Sequence, residues 1–496
     1  MTTARTYTAP IPPLPSHEGR AVALDDILAA RDARAARQQA MQAAGGVLIS
    51  LTLAAPGAVK RSPLLDAVFQ AAQQAVENTI PTPQTVNIHI DDCGHHALYR
   101  IDGDAYEWKR AMLALEAASP LARLWDIDII AANGRPISRA DCGLPPRRCL
   151  LCDDDAKNCA RARCHGIDDL NADIARRYRL HQQAEHIGAV MRQALITEAT
   201  LTPKAGLVDA SSNGGHHDMT LAHFLASADA IAPHLAACAA RGMTFAADAA
   251  SPAILAAIRP IGIQADAAML AATGGVNTHK GAIFAFGLTA AALGKNLAAS
   301  GSATLTQTLA DIRAISTNLV AEQGAGDSAG QRAYRQHHIT GARGAAADGY
   351  RLITAHALPA YQRILNAGGS ERHALLAALV TLYATNDDTT TIARVGLDGL
   401  RTHQEWAKRL LADETTLMDE NRLSAAIAAY DYDCTARRLS AGGSADLLAL
   451  VAYFGCYFPT SPPAAQATEA RPAVQTADNP NGIPATTLMH NPKGTA

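Results

Sequence analysis

At 496 residues the chain is too long for one ordinary hydrophobic core and fits roughly two to four domains. Hydrophobic residues make up 48% but aromatics only 4%, so Ala, Leu, Ile and Val carry the burial and helices should dominate much of the chain. A formal net charge of -3 excludes a general electrostatic pull on nucleic acid or membrane, and the apolar runs, Ala282 to Leu293 and Leu447 to Phe458 the longest, are too short to span a bilayer, which points to a cytoplasmic protein.

Residues 1–20 are rich in Pro, Thr and Ala, lack the apolar core of a secretory signal and read as a disordered arm. A helix runs from Leu24 to about Ala43 and stops at Gly45-Gly46, and Val47 to Leu53 follows as a strand. Pro56-Gly57 is a turn, and a helix begins at Pro63 and reaches about Glu77. Thr85 to Ile90 and Ala97 to Ile101 are strands around the turn Asp91-Asp92-Cys93-Gly94, Glu107 to Ala118 is a helix, and Arg123 to Ile130 is a strand. Residues 21–168 thus form an α+β domain. A polar, Arg- and Gln-rich helix around Gly166 to His186 marks the boundary. From 181 to 460 strand signals almost vanish and Ala- and Leu-rich helices succeed one another as an all-α domain, before a disordered tail at 461–496.

Alternation in the last strand puts Trp125, Ile127 and Ile129 on one face and Asp126 and Asp128 on the other. Same-face carboxylates on a strand lie about 6.5 Å apart along the chain and can share a divalent metal, the geometry by which nucleotidyltransferases hold Mg2+ against a departing pyrophosphate; the plainer reading is a solvated strand face. Nine cysteines are present, and Cys142, Cys149, Cys152, Cys159 and Cys164 crowd together. Cys149, Cys152, Cys159 and His165 offer four ligands for tetrahedral Zn2+; the alternative is a thiol-bearing hairpin whose arginines meet phosphate.

The stretch Gly274 to Gly281 joins two helical segments. Asn277 or Thr278 can cap the second, and its free N–H groups beside His279 and Lys280 make an anion site, or else only a capped helix with a solvated Lys. Four other helix breaks are as polar: Lys204 to Asp209 leading to Asn213 to Asp218, Thr340 to Gly344 with Arg343, Asp387 to Thr390 with Arg394, and Ser440 to Asp446 with Ser444. Each alone is a capped terminus. Five in one helical domain point to a shared polar site between helices.

Asn213-Gly214-Gly215-His216-His217-Asp218-Met219, Val276-Asn277-Thr278-His279-Lys280-Gly281 and Gly442-Gly443-Ser444-Ala445-Asp446-Leu447-Leu448-Ala449 resemble the motifs of triphosphoribosyl-dephospho-CoA synthase. The first third resembles apo-citrate lyase phosphoribosyl-dephospho-CoA transferase through Arg31 to Gln38, Pro56 to Arg61, Arg123 to Asp128, and Arg148 to Cys152 with Cys159-Ala160-Arg161. Where those families' patterns carry Pro, this chain has Ala205 and Ala441, and Ala122, Ala345 and Thr390 stand for Gly, Glu and Asn.

The resemblance implies a fused enzyme with a nucleotidyltransferase-like first domain. The helical domain would join the ribose 2'-hydroxyl of dephospho-CoA to C1 of the ATP ribose, expelling adenine, and the first domain would pass phosphoribosyl-dephospho-CoA to a serine of the citrate lyase acyl carrier subunit. For that chemistry Asp209 or Asp218 serves as base, and His216 or His279 assists the leaving adenine. Lys204, Lys280 and Arg343 clamp the triphosphate, with Asn213, Asn277, Thr278, Arg394 and Ser444 as further substrate contacts and Mg2+ on Asp218, Asp388 or Asp446. In the first domain Asp126 and Asp128 hold Mg2+ and Arg123 meets phosphate. The rival functions are a nucleotide N-glycosyl hydrolase and a zinc-stabilised carrier-binding module.

Overall fold

The computed structural model describes residues 10–249, 251–324 and 328–458, so the expected tail at 461–496 and the first nine residues of the expected arm lie outside the described ones. The remainder of the arm is tied down. The Ser16 carbonyl accepts from the Leu64 N–H at 2.9 Å, and His17 reaches Ser62 at 3.2 Å and Asn171 at 3.0 Å. Composition suggested disorder because residues 10–20 bury little apolar surface; their anchors are hydrogen bonds to distant residues, which composition does not register.

The first half comprises α1 (Leu24–Gln42), β1 (Val47–Leu53), α2 (Pro63–Thr79), β2 (Thr85–Asp91), β3 (Gly94–Ile101), α3 (Ala105–Glu116), β4 (Trp125–Ile130) and β5 (Pro136–Ile137). The strands form one antiparallel sheet in the order β2-β3-β1-β4-β5. Local chemistry sets the helix starts: Ser62 caps α2 with Pro63 at its first turn, and Asp104 caps α3. The strand expected from Arg123 begins instead at Trp125. Leu121, Ala122 and Leu124 are buried together in a 3-10 turn after Pro120, and strand alternation starts only beyond them. One sheet face, with Ile49, Leu51, Tyr99, Trp125, Ile127 and Ile129, packs with Leu64, Val68, Phe69 and Met112 into a core. The other face carries Ser50, His96, Asp126 and Asp128, and α1 approaches it through Gln38, which donates to Ser50 Oγ at 2.9 Å.

After the short α4 (Ala156–Ala162), α5 (Ile167–Thr200) runs unbroken for 34 residues through the expected boundary, a length of about 51 Å. Its Ile174 belongs to the sheet core and its residues from Leu180 onward to the helical core. One rigid element therefore serves both halves.

The helical half continues with α6 (Leu221–Gly242), α7 (Ser251–Ala272), α8 (Lys280–Ser300), α9 (Leu305–Ser316), α10 (Ala329–His337), α11 (Gly341–Ala347), α12 (Leu358–Asn366), α13 (Glu371–Thr385), α14 (Thr389–Ala412), α15 (Glu414–Leu417), α16 (Glu420–Ala436) and α17 (Gly442–Tyr457). Helices α8, α13 and α17 are apolar almost all round, as central helices must be, and Phe286 meets Tyr453 edge-on at 5.7 Å. Close crossing of α6 and α8 requires Gly242 and Gly294, where an added Cβ would strike the opposing backbone. By length and composition α7 and α8 could each cross a bilayer, although the apolar runs in the sequence looked too short. For α8 the apolarity is explained by burial in the helical core.

Candidate functional site

On the polar sheet face, β4 and β1 set Asp128 opposite Ser50 and Asp126 opposite Thr52. Behind the strand, α3 buries Lys109 and Glu116 on the same stripe as Met112 and Leu113. Lys109 Nζ donates to the Ile127 carbonyl at 3.0 Å, and Glu116 Oε1 accepts from the Ile127 N–H at 3.1 Å. Arg147 bridges the two levels: it lies 3.2 Å from Glu116, 3.4 Å from Asp126, and donates to the Trp125 carbonyl. Asp126 remains 53% exposed at its side chain. Surrounding protein and the Asp126 charge raise the Asp128 carboxyl above the usual range, while Lys109, Arg34 and Arg147 pull it back. His96, which meets Ser50 Oγ at 3.2 Å, is driven down to about 3 by burial and by Arg34 and Arg37. The face therefore pairs two neighbouring carboxylates with arginines from α1 and from the loop after β5. Arg123 does not point to that face; it donates to the carbonyls of Arg148 at 2.9 Å and Cys149 at 3.4 Å.

That loop holds Cys149, Cys152, Cys159 and His165, whose ligand atoms all lie within 4.8 Å of one another. It is the one group among the described residues that converges as metal ligands. The expected Mg2+ ligands Asp218, Asp388 and Asp446 form no such group.

In the helical half the five polar junctions do meet. Lys204, buried, donates from Nζ to Glu198 Oε1 at 2.6 Å and to the Glu198 carbonyl at 2.7 Å. Burial raises Glu198 and the Lys204 charge offsets part of the rise. Asp209 accepts four hydrogen bonds, from the backbone N–H groups of Lys204, Ser211 and Ser212 and from Ser211 Oγ, at 2.7 to 3.0 Å. Both its oxygens are thus committed to shaping the 204–212 loop. His216 is held at both ring nitrogens, Nε2 by Ser440 Oγ at 2.8 Å and Nδ1 by Arg394 at 2.9 Å; burial and the Arg394 charge lower its pKa. Asp218 is 65% exposed at its side chain and 3.7 Å from His216, and Asn213 is exposed beside them.

Asp388 caps α14 through the N–H groups of Thr390 and Thr391, and its other oxygen accepts from the Ser444 N–H at 2.7 Å and Ser444 Oγ at 3.0 Å. Burial raises Asp388 against these bonds. Thr340 precedes α11, and a Cβ on Gly341 would touch Thr389, so that junction adjoins the cap; Arg343 turns away to the Leu319 carbonyl at 3.4 Å.

The start of α8 differs from expectation. Its N-cap position is His279, and Asn277 Oδ1 accepts from the Lys280 N–H at 3.3 Å. The Ala282 N–H, reserved by the sequence reading for an anion, bonds to Asp446, whose carboxylate lies where a Cβ of Gly281 would be. Burial, Glu198 and Asp388 push Asp446 well above the usual carboxylate range. His279 cannot cap because its ring is buried, with Nδ1 at 2.7 Å from Ser227 Oγ and Phe224 edge-on at 5.0 Å. Burial and the Lys204 charge take it down to about 3. Its Nε2 and the neighbouring Thr278 Oγ1 are buried without a partner among the described residues. Lys280 points outward, 67% exposed, 3.5 Å from Asp266.

A model of the ATP:dephospho-CoA triphosphoribosyl transferase family matches residues 184–457, and one of apo-citrate lyase phosphoribosyl-dephospho-CoA transferase matches residues 22–181. Protein CitXG of Haemophilus influenzae is 40% identical over 461 residues, spanning 88% of this chain and 97% of that relative. The chain belongs to both families, joined in one polypeptide. It is a bifunctional transferase of citrate lyase prosthetic-group biosynthesis. Its synthase half also resembles the 2-(5''-triphosphoribosyl)-3'-dephosphocoenzyme-A synthase of Haemophilus ducreyi, 41% identical over 61% of this chain and 98% of the relative, and a probable one of Vibrio cholerae, 43% identical over 53% and 85%.

Sequence reasoning missed Glu198 and Asp431 in the synthase half, and Lys109, Glu116 and Arg147 in the transferase half. Glu198 had a signal, since it shares helical spacing with the buried Ala194, Leu195 and Leu201. Lys109 and Glu116 likewise flank Met112 and Leu113. Asp431 had none: its oxygens take the Gly206 N–H at 2.7 Å and Ser212 Oγ at 3.4 Å, a pairing made across 225 residues in the first case.

Proposed function

We propose that the synthase half transfers the triphosphoribosyl group of ATP to the ribose 2'-hydroxyl of dephospho-CoA. The hydroxyl oxygen attacks C1 of the ATP ribose, its proton passes to a carboxylate and on to solvent, and the C1–N bond breaks with its electron pair on the adenine nitrogen, which takes up one proton from water. Of the two candidate bases, Asp218 is 65% exposed next to a pinned His216, whereas Asp209 is buried with both oxygens already accepting from its own loop, so Asp218 takes this role. His279, neutral at physiological pH, is no proton donor of the acid kind; as a neutral ring its open Nε2 hydrogen-bonds the departing adenine, with Thr278 beside it. Lys280, exposed beside Asp266, meets the triphosphate, and Lys204 holds Glu198 in place. The observation that carries this reading is the unpartnered His279 Nε2 and Thr278 Oγ1 at the start of α8, within reach of the Lys204 charge.

The transferase half then passes phosphoribosyl-dephospho-CoA to a serine of the acyl carrier subunit with release of pyrophosphate. Asp126 and Asp128 are suited to Mg2+ on a nucleotidyltransferase-like sheet, and Arg147 to the phosphates. A cytoplasmic location fits these soluble substrates. The test is to mix the protein with ATP, dephospho-CoA, Mg2+ and apo-carrier, weigh the carrier and assay adenine. A carrier heavier by one phosphoribosyl-dephospho-CoA unit is expected. No mass gain overturns the reading, and adenine release that does not depend on dephospho-CoA would make the synthase half a hydrolase.

A further inference from the structure

The segment from 143 to 166 bears on the transferase half without a core of its own. Of these residues only Cys159 is fully buried, while Leu144 and Leu151 are 41% and 37% exposed. Apart from Leu150, which packs partly buried against the sheet core, hydrophobic burial adds little to holding this loop in place. Backbone bonds shape it locally: the Cys149 N–H donates to the Asp154 carbonyl and the Ala156 N–H to the Arg147 carbonyl, both at 2.8 Å, closing a small hairpin. Cys149 and Cys152 sit on that hairpin, Cys159 in α4, and His165 beyond the helix end, where Arg163 takes a left-handed conformation.

Four ligands from three pieces of chain thus arrive at one point. Cys152 Sγ lies 3.9 Å from Cys159 Sγ and 3.3 Å from His165 Nε2. Tetrahedral zinc, with Zn–S near 2.3 Å and Zn–N near 2.0 Å, spaces its sulfurs about 3.8 Å apart and a sulfur and nitrogen about 3.5 Å apart. These two spacings match that geometry, and the remaining pairs among the three sulfurs and one nitrogen lie within 4.8 Å.

We propose that Cys149, Cys152, Cys159 and His165 bind one structural zinc ion, which fixes the 143–166 loop against the carboxylate face of the transferase half. The loop delivers Arg147 to Asp126 and Glu116, and its carbonyls at Arg148, Cys149 and Leu150 receive Arg123 and Arg177. Locking the hairpin locks the cation that faces Asp126. Cys164 contacts Cys159 but lies outside the four residues whose ligand atoms converge, so it is not a ligand.

The full chain, prepared with Zn2+ and dialysed, is expected to carry about one zinc per polypeptide by plasma mass spectrometry. A mercurial reagent should release it as the thiols titrate. Replacing zinc with Co2+ should give the visible bands of a tetrahedral site and a near-ultraviolet thiolate-to-cobalt band. Cys149→Ser and His165→Gln lose the metal, Cys164→Ser keeps it, and chelation exposes the 143–166 segment to limited proteolysis at least about tenfold faster. Less than about a tenth of a zinc per chain, a Co2+ spectrum without the thiolate band, or loss of metal in Cys164→Ser overturns the proposal. Because the Co2+ spectrum is taken on the unaltered protein, it decides the matter even where a cysteine variant fails to fold.

Discussion

The two halves use the same residue type in opposite surroundings. On the transferase sheet, Asp126 and Asp128 stand on an open face reached by solvent, with Asp126 paired loosely with Arg147. In the synthase half Glu198 and Asp388 are buried, Asp446 lies beside them, and each is hydrogen-bonded within the protein. An open face can admit a folded carrier protein. A closed polar junction suits a small substrate from which water must be excluded. An upward shift is common to Asp128, Asp388 and Asp446, so exposure and hydrogen-bond partners, and not residue identity, separate the two sites.

The largest effect tests how closed the synthase junction is. Lys204→Met strands a buried Glu198 and should cost about 3 to 5 kcal/mol of stability in urea denaturation, with Glu198→Gln on the same chain recovering part of it. A loss under about 1 kcal/mol would mean the junction is wet and the contrast with the sheet face is false. Next, Asp128→Asn should lower carrier labelling about a hundred- to thousand-fold while adenine release stays within about twofold; parallel losses in both would show that the halves are not chemically separate. A third test is pH. His279 is held near 3 in the folded chain, below the ordinary histidine value, so the unfolded chain binds the extra proton and the native state loses stability as pH falls below about 6.5. Between pH 7 and pH 5 the parent protein should lose about 2 kcal/mol more than His279→Gln. Equal slopes would place the ring in contact with water. The smallest change in stability is expected for Lys280→Ala, within about 0.5 kcal/mol because the ammonium is exposed. Its signature is kinetic, an ATP KM raised about tenfold, or about 1.4 kcal/mol of binding. An unchanged KM would return Lys280 to the role of a solvated side chain.

Local order was readable without the fold. Period-two alternation from Trp125 to Ile129 forces Asp126 and Asp128 onto one outward face whatever the sheet packs against, and Pro63 marks a helix start through its own backbone chemistry, whereas the helix expected from Glu107 begins two residues earlier, behind the Asp104 cap. The grouping of Cys149, Cys152, Cys159 and His165 was equally visible, because its ligands are close in sequence. What the sequence left open were pairings between distant segments. Nothing near Asn277 indicates that Asp446, well over a hundred residues away, occupies the N–H group of α8 that looked free for phosphate, or that Asp209 is used up by its own loop. Nor does the polar stretch around Gly166 to His186 reveal that it is one rigid helix shared by two cores. Periodicity and caps are decided by neighbours along the chain, whereas burial and the competition for each donor are decided by packing, and only the tertiary structure assigns them.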